Sequence, residues 1–237
     1  MADSRLIVAL DVHSMPDVRA LVETLGDSVS YYKVGMELFY RVGAEVLTYL
    51  HGQGKSIFLD LKLHDIPNTV AEGLCSLMNL HADMLNVHAS GGYEMMRTAV
   101  ERVRGKAAQD GIPAPKLIAV TILTSIGGDN WKEMGFSQEI REQVIRFALL
   151  AKKAGMDGVV ASPQEAAAIR EACGPDFLII TPGIRPTGAD INDQSRIAAP
   201  SAALRNGATH LVVGRPIRAA KDPKAAAEAI IREMERV

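Results

Sequence analysis

The sequence predicts an α/β protein that forms a single (β/α)8 barrel, and three observations support this fold. Short apolar runs rich in Val, Ile and Leu recur eight times along the 237 residues, with segments of helical periodicity between them. The runs are almost continuously apolar, which indicates strands covered on both faces, and strict strand–helix alternation indicates a parallel sheet. Eight units of roughly 30 residues each match the size of a closed barrel.

The first half of the chain contains four of these strand–helix units. Each apolar run is followed by a segment whose apolar residues recur at helical spacing. Gly26 supplies a stop signal for the first helix, because glycine commonly follows a helix C-terminus. The sequence therefore predicts strands over 5–12, 31–35, 56–62 and 82–88, and helices over 16–25, 36–52, 67–80 and 92–108.

The second half repeats the pattern with two longer connections. The "AG" at 154–155 is a helix stop signal and the "SP" at 162–163 is a start signal. The sequence predicts strands over 116–123, 157–162, 177–183 and 209–215, and helices over 137–154, 163–172, 195–206 and 223–236. The segments 124–136 and 184–194 are predicted to be long loops at the catalytic end, because βα loops line that end of a barrel.

The main alternative is a doubly wound open sheet. That fold normally carries a glycine-rich turn after its first strand. Here the first strand ends in "ALDVHSMPD", which contains no glycine, so the barrel is favoured. Linkers, low-complexity tracts and charge blocks are absent from the sequence, and residues 1–237 are therefore predicted to form one domain.

Composition excludes several classes of function. The net charge of −2 gives no global attraction to nucleic acid or to anionic membranes, and no apolar stretch approaches the length of a membrane span. The N-terminal apolar run is too short for a signal peptide, and Cys75 and Cys173 are expected to be reduced thiols, so a cytoplasmic protein is predicted. The six histidines are scattered and no CxxC, HExxH or P-loop occurs, so the sequence predicts no metal site.

Polar residues concentrate where the predicted strands end. A single residue of this kind is as readily a hydrogen-bonding partner in the core or a helix cap as a catalytic group. Many at one end favour an active site, because the C-terminal ends of barrel strands carry the catalytic residues. The residues at this end are Asp11, Lys33, Asp60, Lys62, Asp65, His88, Thr124, Arg185 and Arg215.

The stretch "FLDLK" (58–62) places an acid and an amine within a core strand. Because side chains alternate along a strand, Asp60 and Lys62 are predicted to share the face opposite Leu59. Together with Lys33 and Asp65 they would alternate in sign across the barrel mouth, and such neighbours keep all four groups ionised. The alternative is a stabilising ion network. Buried ion pairs are weak stabilisers compared with apolar packing, so a catalytic array is favoured.

Two arginines indicate a site for phosphate. Arg185 follows the seventh predicted strand and Arg215 the eighth, where barrels frequently bind phosphate. The glycine of "TPGIR" (181–185) permits close backbone approach, and "VVGRP" (212–216) supplies Gly214 and Arg215, where a short helix is expected to begin. The alternative is that both arginines lie on the surface and pair with acidic residues of the helices. Their position after the last two strands favours the first interpretation, and a ligand with a phosphate group is predicted at this end.

The stretch "DLKLHDIPNT" (60–69) resembles the signature of the orotidine 5′-phosphate decarboxylase family. Asp-x-Lys-x-x-Asp is shared with sugar-phosphate decarboxylases and synthases of the same barrel superfamily, but the extension through Thr69 makes the resemblance specific. The resemblance is collinear along the whole chain. It includes "ALD" (9–11), "KVG" (33–35), "NVHASGG" (86–92), "VTILTS" (120–125), "TPGIRP" (181–186) and "VVGRPI" (212–217).

The resemblance implies a role for each site residue. Lys62 would donate a proton to C6 of the pyrimidine after carbon dioxide leaves, and Asp60 would face the substrate carboxylate. Lys33 would hold the charged array and, with Asp11, bind ribose hydroxyls. Thr124 would contact the pyrimidine. The residues implied to bind the phosphate are Arg185, Gln194, Gly214 and Arg215.

The resemblance also implies a homodimer without metal or organic cofactor. Asp65 and Thr69 would cross the interface into the partner's site, and loop 184–194 would close over orotidine 5′-phosphate. Two alternatives remain open from the residues. One is a Mg²⁺-dependent sugar-phosphate decarboxylase or synthase of the same superfamily, and the other is a non-catalytic barrel that binds nucleotides.

Overall fold

The computed structural model describes residues 2–186 and 198–237, and its fold is a (β/α)8 barrel. Parallel strands pair in chain order, and the last strand pairs with the first to close the barrel. The predicted fold class is confirmed, and the open-sheet alternative is wrong. The strands are β1 Leu6–Ala9, β2 Tyr31–Gly35, β3 Ser56–Leu63, β4 Met84–His88, β5 Lys116–Val120, β6 Gly158–Val160, β7 Leu178–Thr181 and β8 His210–Val213.

Helices follow the strands and cover the outside of the barrel. Their bounds are α1 Met15–Leu25, α2 Met36–Val42, α3 Glu45–Gly52, α4 Pro67–Met78, α5 Gly92–Asp110, α6 Gly128–Glu133, α7 Ile140–Lys153, α8 Ala166–Cys173, α9 Pro200–Arg205, α10 Arg215–Arg218 and α11 Pro223–Met234. Among the described residues, no helix is both long and apolar enough to cross a membrane.

Several helical elements differ in detail from the sequence predictions. The helix predicted over 36–52 is divided into α2 and α3, because Gly43 adopts a φ of 63° that ends the first of them. The predicted loop 124–136 contains the short helix α6, which buries Trp131. The helix predicted over 163–172 begins at Ala166, after a turn in which the Ser162 hydroxyl accepts a hydrogen bond from the backbone N–H of Gln164.

Local sequence explains where several helices begin. The Ser14 side chain accepts a hydrogen bond from the N–H of Asp17 at the start of α1, and the Asp222 side chain accepts one from Ala225 at the start of α11. These caps satisfy N–H groups that have no partner within the helix. Both helices also have proline in the first turn, where its missing N–H costs nothing.

Alternation along the strands divides the core into two layers. One face of each strand packs against the surrounding helices. The other face fills the barrel interior with Ile7, Ala9, Tyr31, Phe58, Met84, Ile118, Ile180 and Val212. Because side chains on one face recur every second residue, the next interior position on β2 is Lys33, on β3 Asp60 and on β4 Asn86. A polar layer therefore lies above an apolar layer, toward the C-terminal ends of the strands.

Candidate active site

A chain of alternating charges occupies the polar layer. The Lys33 Nζ lies 3.2 Å from Oδ1 of Asp11 and 3.4 Å from Oδ2 of Asp60. The other Asp60 oxygen, Oδ1, accepts a hydrogen bond of 2.6 Å from the Lys62 Nζ. The structure thus brings these four predicted site residues together as acid, amine, acid and amine.

Burial and charge have opposite effects on the inner pair. Burial alone would raise the pKa of Asp60, but Lys33 and Lys62, with hydrogen bonds from Lys62 and Asn86, hold that pKa below its ordinary value. Burial would likewise lower the pKa of Lys33, and the carboxylates of Asp60 and Asp11 raise it above its ordinary value instead. Both groups are therefore ionised at neutral pH, as the alternation of charge predicts.

Asn86 on β4 is a site residue that the sequence predictions missed. It is only 1% exposed, and its Nδ2 donates a hydrogen bond of 2.7 Å to Oδ1 of Asp60. Its own Oδ1 accepts a hydrogen bond of 2.7 Å from the backbone N–H of Lys62. The available signal was an amide at the centre of an otherwise apolar strand, "MLNVH", since a buried amide needs partners for both its donor and its acceptor.

The strand that carries Asp60 and Lys62 is irregular. Lys62 has a φ of 52°, a left-handed conformation that costs a residue other than glycine about 1–3 kcal/mol. The pairing with β4 also shifts, because Leu59 lies opposite Leu85 whereas Leu63 lies opposite Val87. The simple alternation predicted for "FLDLK" therefore ends at Lys62. A local bulge, rather than the regular pleat, places its ammonium against Asp60.

A cavity of about 180 Å³ opens above this array. Lys33, Asp60, Lys62 and Thr124 contribute to its wall, so four of the predicted site residues meet there. The rest of the wall is largely apolar and comprises Phe58, Val120, Ile122, Leu123, Val160, Ala161, Pro182 and Val212. Apolar walls with a few convergent polar groups are typical of sites for small organic ligands.

His88 lies beside the array at the end of β4. Its ring centroid is 5.5 Å from that of His64. Burial first, and then the nearby His64 and Lys62, lower the pKa of His88 against a smaller opposing effect of Asp60. His88 is therefore neutral at pH 7 and adds no charge to the array.

Asp65 and Thr69 lie outside the cavity of their own chain. Both are exposed, Asp65 directly before α4 and Thr69 in its first turn. The Asp65 Oδ1 accepts a hydrogen bond of 2.7 Å from the N–H of Ile66. Within the chain, the alternating array is therefore completed by Asp11 rather than by Asp65.

The predicted phosphate residues follow β7 and β8. Arg185 is buried, and its Nη1 donates a hydrogen bond to the carbonyl of Ile184. Arg215 begins α10, which confirms the short helix expected there. A methyl group added to Gly214 would lie 3.2 Å from Oδ2 of Asp11, so the backbone passes close to the charged array at this point. Gln194 lies outside the described residues.

A larger depression lies at the opposite end of the barrel. It has a volume of about 780 Å³ and is lined by strand starts that include Tyr31, Ser56, Met84 and Lys116. The charged array is absent from its walls. We favour the smaller cavity as the active site, because catalytic residues of such barrels lie at the C-terminal ends of the strands.

The acidic side chains of the site are arranged around lysines rather than around a metal position. Between residues 2 and 186 and between 198 and 237, no group of three or more His, Cys, Asp or Glu residues is arranged to hold a metal ion. Asp11 and Asp60 are each engaged by a lysine ammonium instead.

Comparison with known proteins identifies relatives along nearly the whole chain. A family model described as "Orotidine 5'-phosphate decarboxylase / HUMPS family" matches residues 4–230. The chain is 51% identical over 237 residues to orotidine 5′-phosphate decarboxylase of Moorella thermoacetica, with 100% of this chain and 94% of that protein covered. It is 46% identical over 233 residues to the protein of the same name from Pelobacter propionicus, with 98% and 96% covered.

A solved structure shows the same similarity in three dimensions. The crystal structure of orotidine 5′-phosphate decarboxylase from Lactobacillus acidophilus superposes with a TM-score of 0.85 at 44% sequence identity. The superposition covers 98% of this chain and 99% of that one. The similarity therefore extends over nearly the whole chain, including most of the barrel.

Proposed function

Because the chain belongs to the orotidine 5′-phosphate decarboxylase / HUMPS family, we propose that it converts orotidine 5′-phosphate to UMP and carbon dioxide. This carboxy-lyase reaction would be the last step of de novo UMP synthesis. The observation that carries the proposal is the contact of 2.6 Å between Lys62 and Asp60 at the wall of a small, largely apolar cavity.

The proposed reaction needs a cation beside C6 of the pyrimidine. Loss of carbon dioxide leaves an electron pair in the plane of the ring, where the π system cannot delocalise it. The Lys62 ammonium would stabilise that charge and then transfer its proton to C6. Asp60 would face the departing carboxylate, and their repulsion would favour release of neutral carbon dioxide. The proposal needs neither a metal nor an organic cofactor.

The surrounding residues would hold the rest of the nucleotide. Asp11 and Lys33 would bind the ribose hydroxyls, and Thr124, at the cavity wall, would contact the pyrimidine. Arg185, Gly214 and Arg215, after β7 and β8, would bind the phosphate together with Gln194. Because the phosphate is remote from C6, its binding energy would order the charged array and drive closure of loop 184–194.

We also propose that two chains share each site. Asp65 and Thr69 are exposed and do not line the cavity of their own chain, which leaves them available to a second copy of the chain. Asp65 of one chain would extend the partner's charged array beyond Lys62, and Thr69 would contact the partner's ribose. A homodimer would then be the active unit.

The direct test is decarboxylation of orotidine 5′-phosphate, followed by its ultraviolet change with and without EDTA. We expect rapid turnover that EDTA does not affect, and Lys62→Ala should remove nearly all of it. Lys116→Ala is the matched control, because Lys116 is an exposed lysine at the opposite end of the barrel. No turnover of orotidine 5′-phosphate, together with Mg²⁺-dependent turnover of a sugar phosphate, would favour the sugar-phosphate enzymes. UMP binding without turnover would favour a non-catalytic barrel.

A further inference from the structure

The strongest unassigned feature of the site is Asn86. It is almost fully buried, it contacts both Asp60 and Lys62, and none of the proposed chemical steps uses it. We infer that Asn86 is a positioning residue that fixes the geometry of the Asp60–Lys62 pair. This inference rests on the proposed function and extends it to a residue on a neighbouring strand.

Asn86 bonds to the backbone at Lys62, where β3 departs from regular pairing. Leu63 lies four residues after Leu59 on β3, but their partners on β4, Leu85 and Val87, lie only two residues apart. The ladder of backbone hydrogen bonds is therefore interrupted between Leu59 and Leu63. The Lys62 N–H is bonded instead to Oδ1 of Asn86, at 2.7 Å. A side-chain carbonyl thus takes the place of a strand carbonyl. It satisfies a backbone donor where Lys62 adopts its left-handed conformation.

Asn86 also bonds to the Asp60 carboxylate. Oδ1 of Asp60 accepts hydrogen bonds from both Asn86 Nδ2, at 2.7 Å, and Lys62 Nζ, at 2.6 Å. The other oxygen, Oδ2, faces the Lys33 Nζ at 3.4 Å. The amide therefore fixes the rotation of the carboxylate and so decides which oxygen meets which lysine.

The chemistry of an amide suits both contacts. Asn86 must accept a hydrogen bond from an N–H and donate one to a carboxylate at the same time, and a neutral amide does both. An aspartate would keep the acceptor but would place a second negative charge against Asp60. An alanine would leave the Lys62 N–H and one lone pair of Asp60 without their partner.

Steady-state kinetics of Asn86→Ala and Asn86→Asp test the inference. Small misplacements of catalytic groups cost about 100-fold in rate, so we expect kcat to fall about 100-fold in Asn86→Ala while KM changes far less. Thr181→Val is the matched control. Thr181 is also fully buried and donates a hydrogen bond to a backbone carbonyl, that of His210, but it does not line the cavity. A kcat for Asn86→Ala equal to that of Thr181→Val would overturn the inference.

Crystal structures of the same variants provide a readout that does not depend on turnover. In Asn86→Ala we expect Lys62 to leave the left-handed region and its Nζ to move beyond hydrogen-bonding distance of Asp60. In Asn86→Asp the backbone at Lys62 should stay in place, because the acceptor is retained. An unchanged Lys62 in Asn86→Ala would refute the positioning role even if the wild-type protein had no decarboxylase activity. Inactive wild-type protein with the expected displacement would refute the proposed function alone.

Discussion

A double-mutant cycle on Lys33 and Asp60 provides a demanding test of the charged array. The single changes are Lys33→Met and Asp60→Asn, and the third variant combines them. Each single change leaves the other residue buried with one partner fewer. Both side chains are only 11–12% exposed, so water replaces the lost partner poorly. The double change removes both charges and leaves Asp11 and Lys62, which are more exposed.

The structure sets the scale of the expected coupling. At the Nζ–Oδ2 distance of 3.4 Å, Coulomb's law with an effective dielectric constant of about 20 gives about 5 kcal/mol for this pair. Removing one partner of a buried pair typically costs about 3–5 kcal/mol of the free energy of unfolding. We expect the free energy of unfolding of the double variant to fall by about 3 kcal/mol less than the summed losses of the two single variants. This coupling is smaller than the direct Coulomb energy because relaxation and water entry weaken the interaction.

Urea unfolding of the four proteins at one protein concentration measures this coupling. The matched control is the same cycle on Lys106 and Asp110, an ion pair of 2.8 Å on the surface of α5. Its coupling should be much smaller and should vanish in added salt, whereas the buried pair should be little affected. If the losses in free energy of unfolding of the two single variants simply add in the double variant, the two charges do not share one desolvated network, and the reasoning is refuted.

The pH dependence of stability provides a second readout on the same variants. The folded pKa of Asp60 lies below its ordinary value, so its contribution is fully present above about pH 4 and is lost as pH falls through the folded pKa. The folded pKa of Lys33 is raised, so its contribution is present below about pH 10 and is lost above the folded pKa. In Asp60→Asn the free energy of unfolding should therefore fall less steeply below about pH 4 than it does in the wild-type protein.

Three further predictions concern activity and ligand binding. Gly35→Ala should lower kcat about 10- to 100-fold, because the added methyl group would lie 2.9 Å from the Lys33 Nζ and displace the ammonium; steady-state kinetics with wild-type rates would contradict this. Arg215→Ala should weaken binding of UMP far more than binding of uridine in calorimetry, and equal losses would argue against the phosphate site. Mixing Lys62→Ala chains with Asp65→Ala chains should restore part of the turnover if each site takes residues from two subunits, and the absence of rescue would count against sharing.

The fold could be predicted because its signal is distributed along the whole chain. Every strand is an apolar run, and the interior polar layer follows from alternation once the barrel is assumed. Lys33 and Asp60 are thus placed correctly by sequence reasoning. The division between α2 and α3 was missed because it depends on the φ of a single glycine, Gly43, within an otherwise helical pattern.

The geometry around Lys62 could not be predicted from local sequence. "FLDLK" has the pattern of a regular strand, and nothing in it indicates a positive φ at a lysine. That conformation is held by Asn86, which lies 24 residues further along the chain, on the next strand. Local propensity and long-range hydrogen bonding disagree here, and the long-range contact decides the structure. Such disagreements are expected at functional sites, where strain is tolerated because the surroundings impose it.

The bulge in β3 also has a consequence for how this chain can change over time. Substitutions at the barrel mouth alter one side chain each, and a connection that carries no member of the array, such as the segment around α6, can gain or lose residues without moving Lys33, Asp60 or Lys62. A residue inserted between Asp60 and Lys62, or the deletion of Leu61, would instead shift Lys62 relative to both Asp60 and Asn86 in a single step. We therefore expect natural length variation to be excluded from β3 and confined to connections such as the segment around α6, so that β3 is inherited at fixed length.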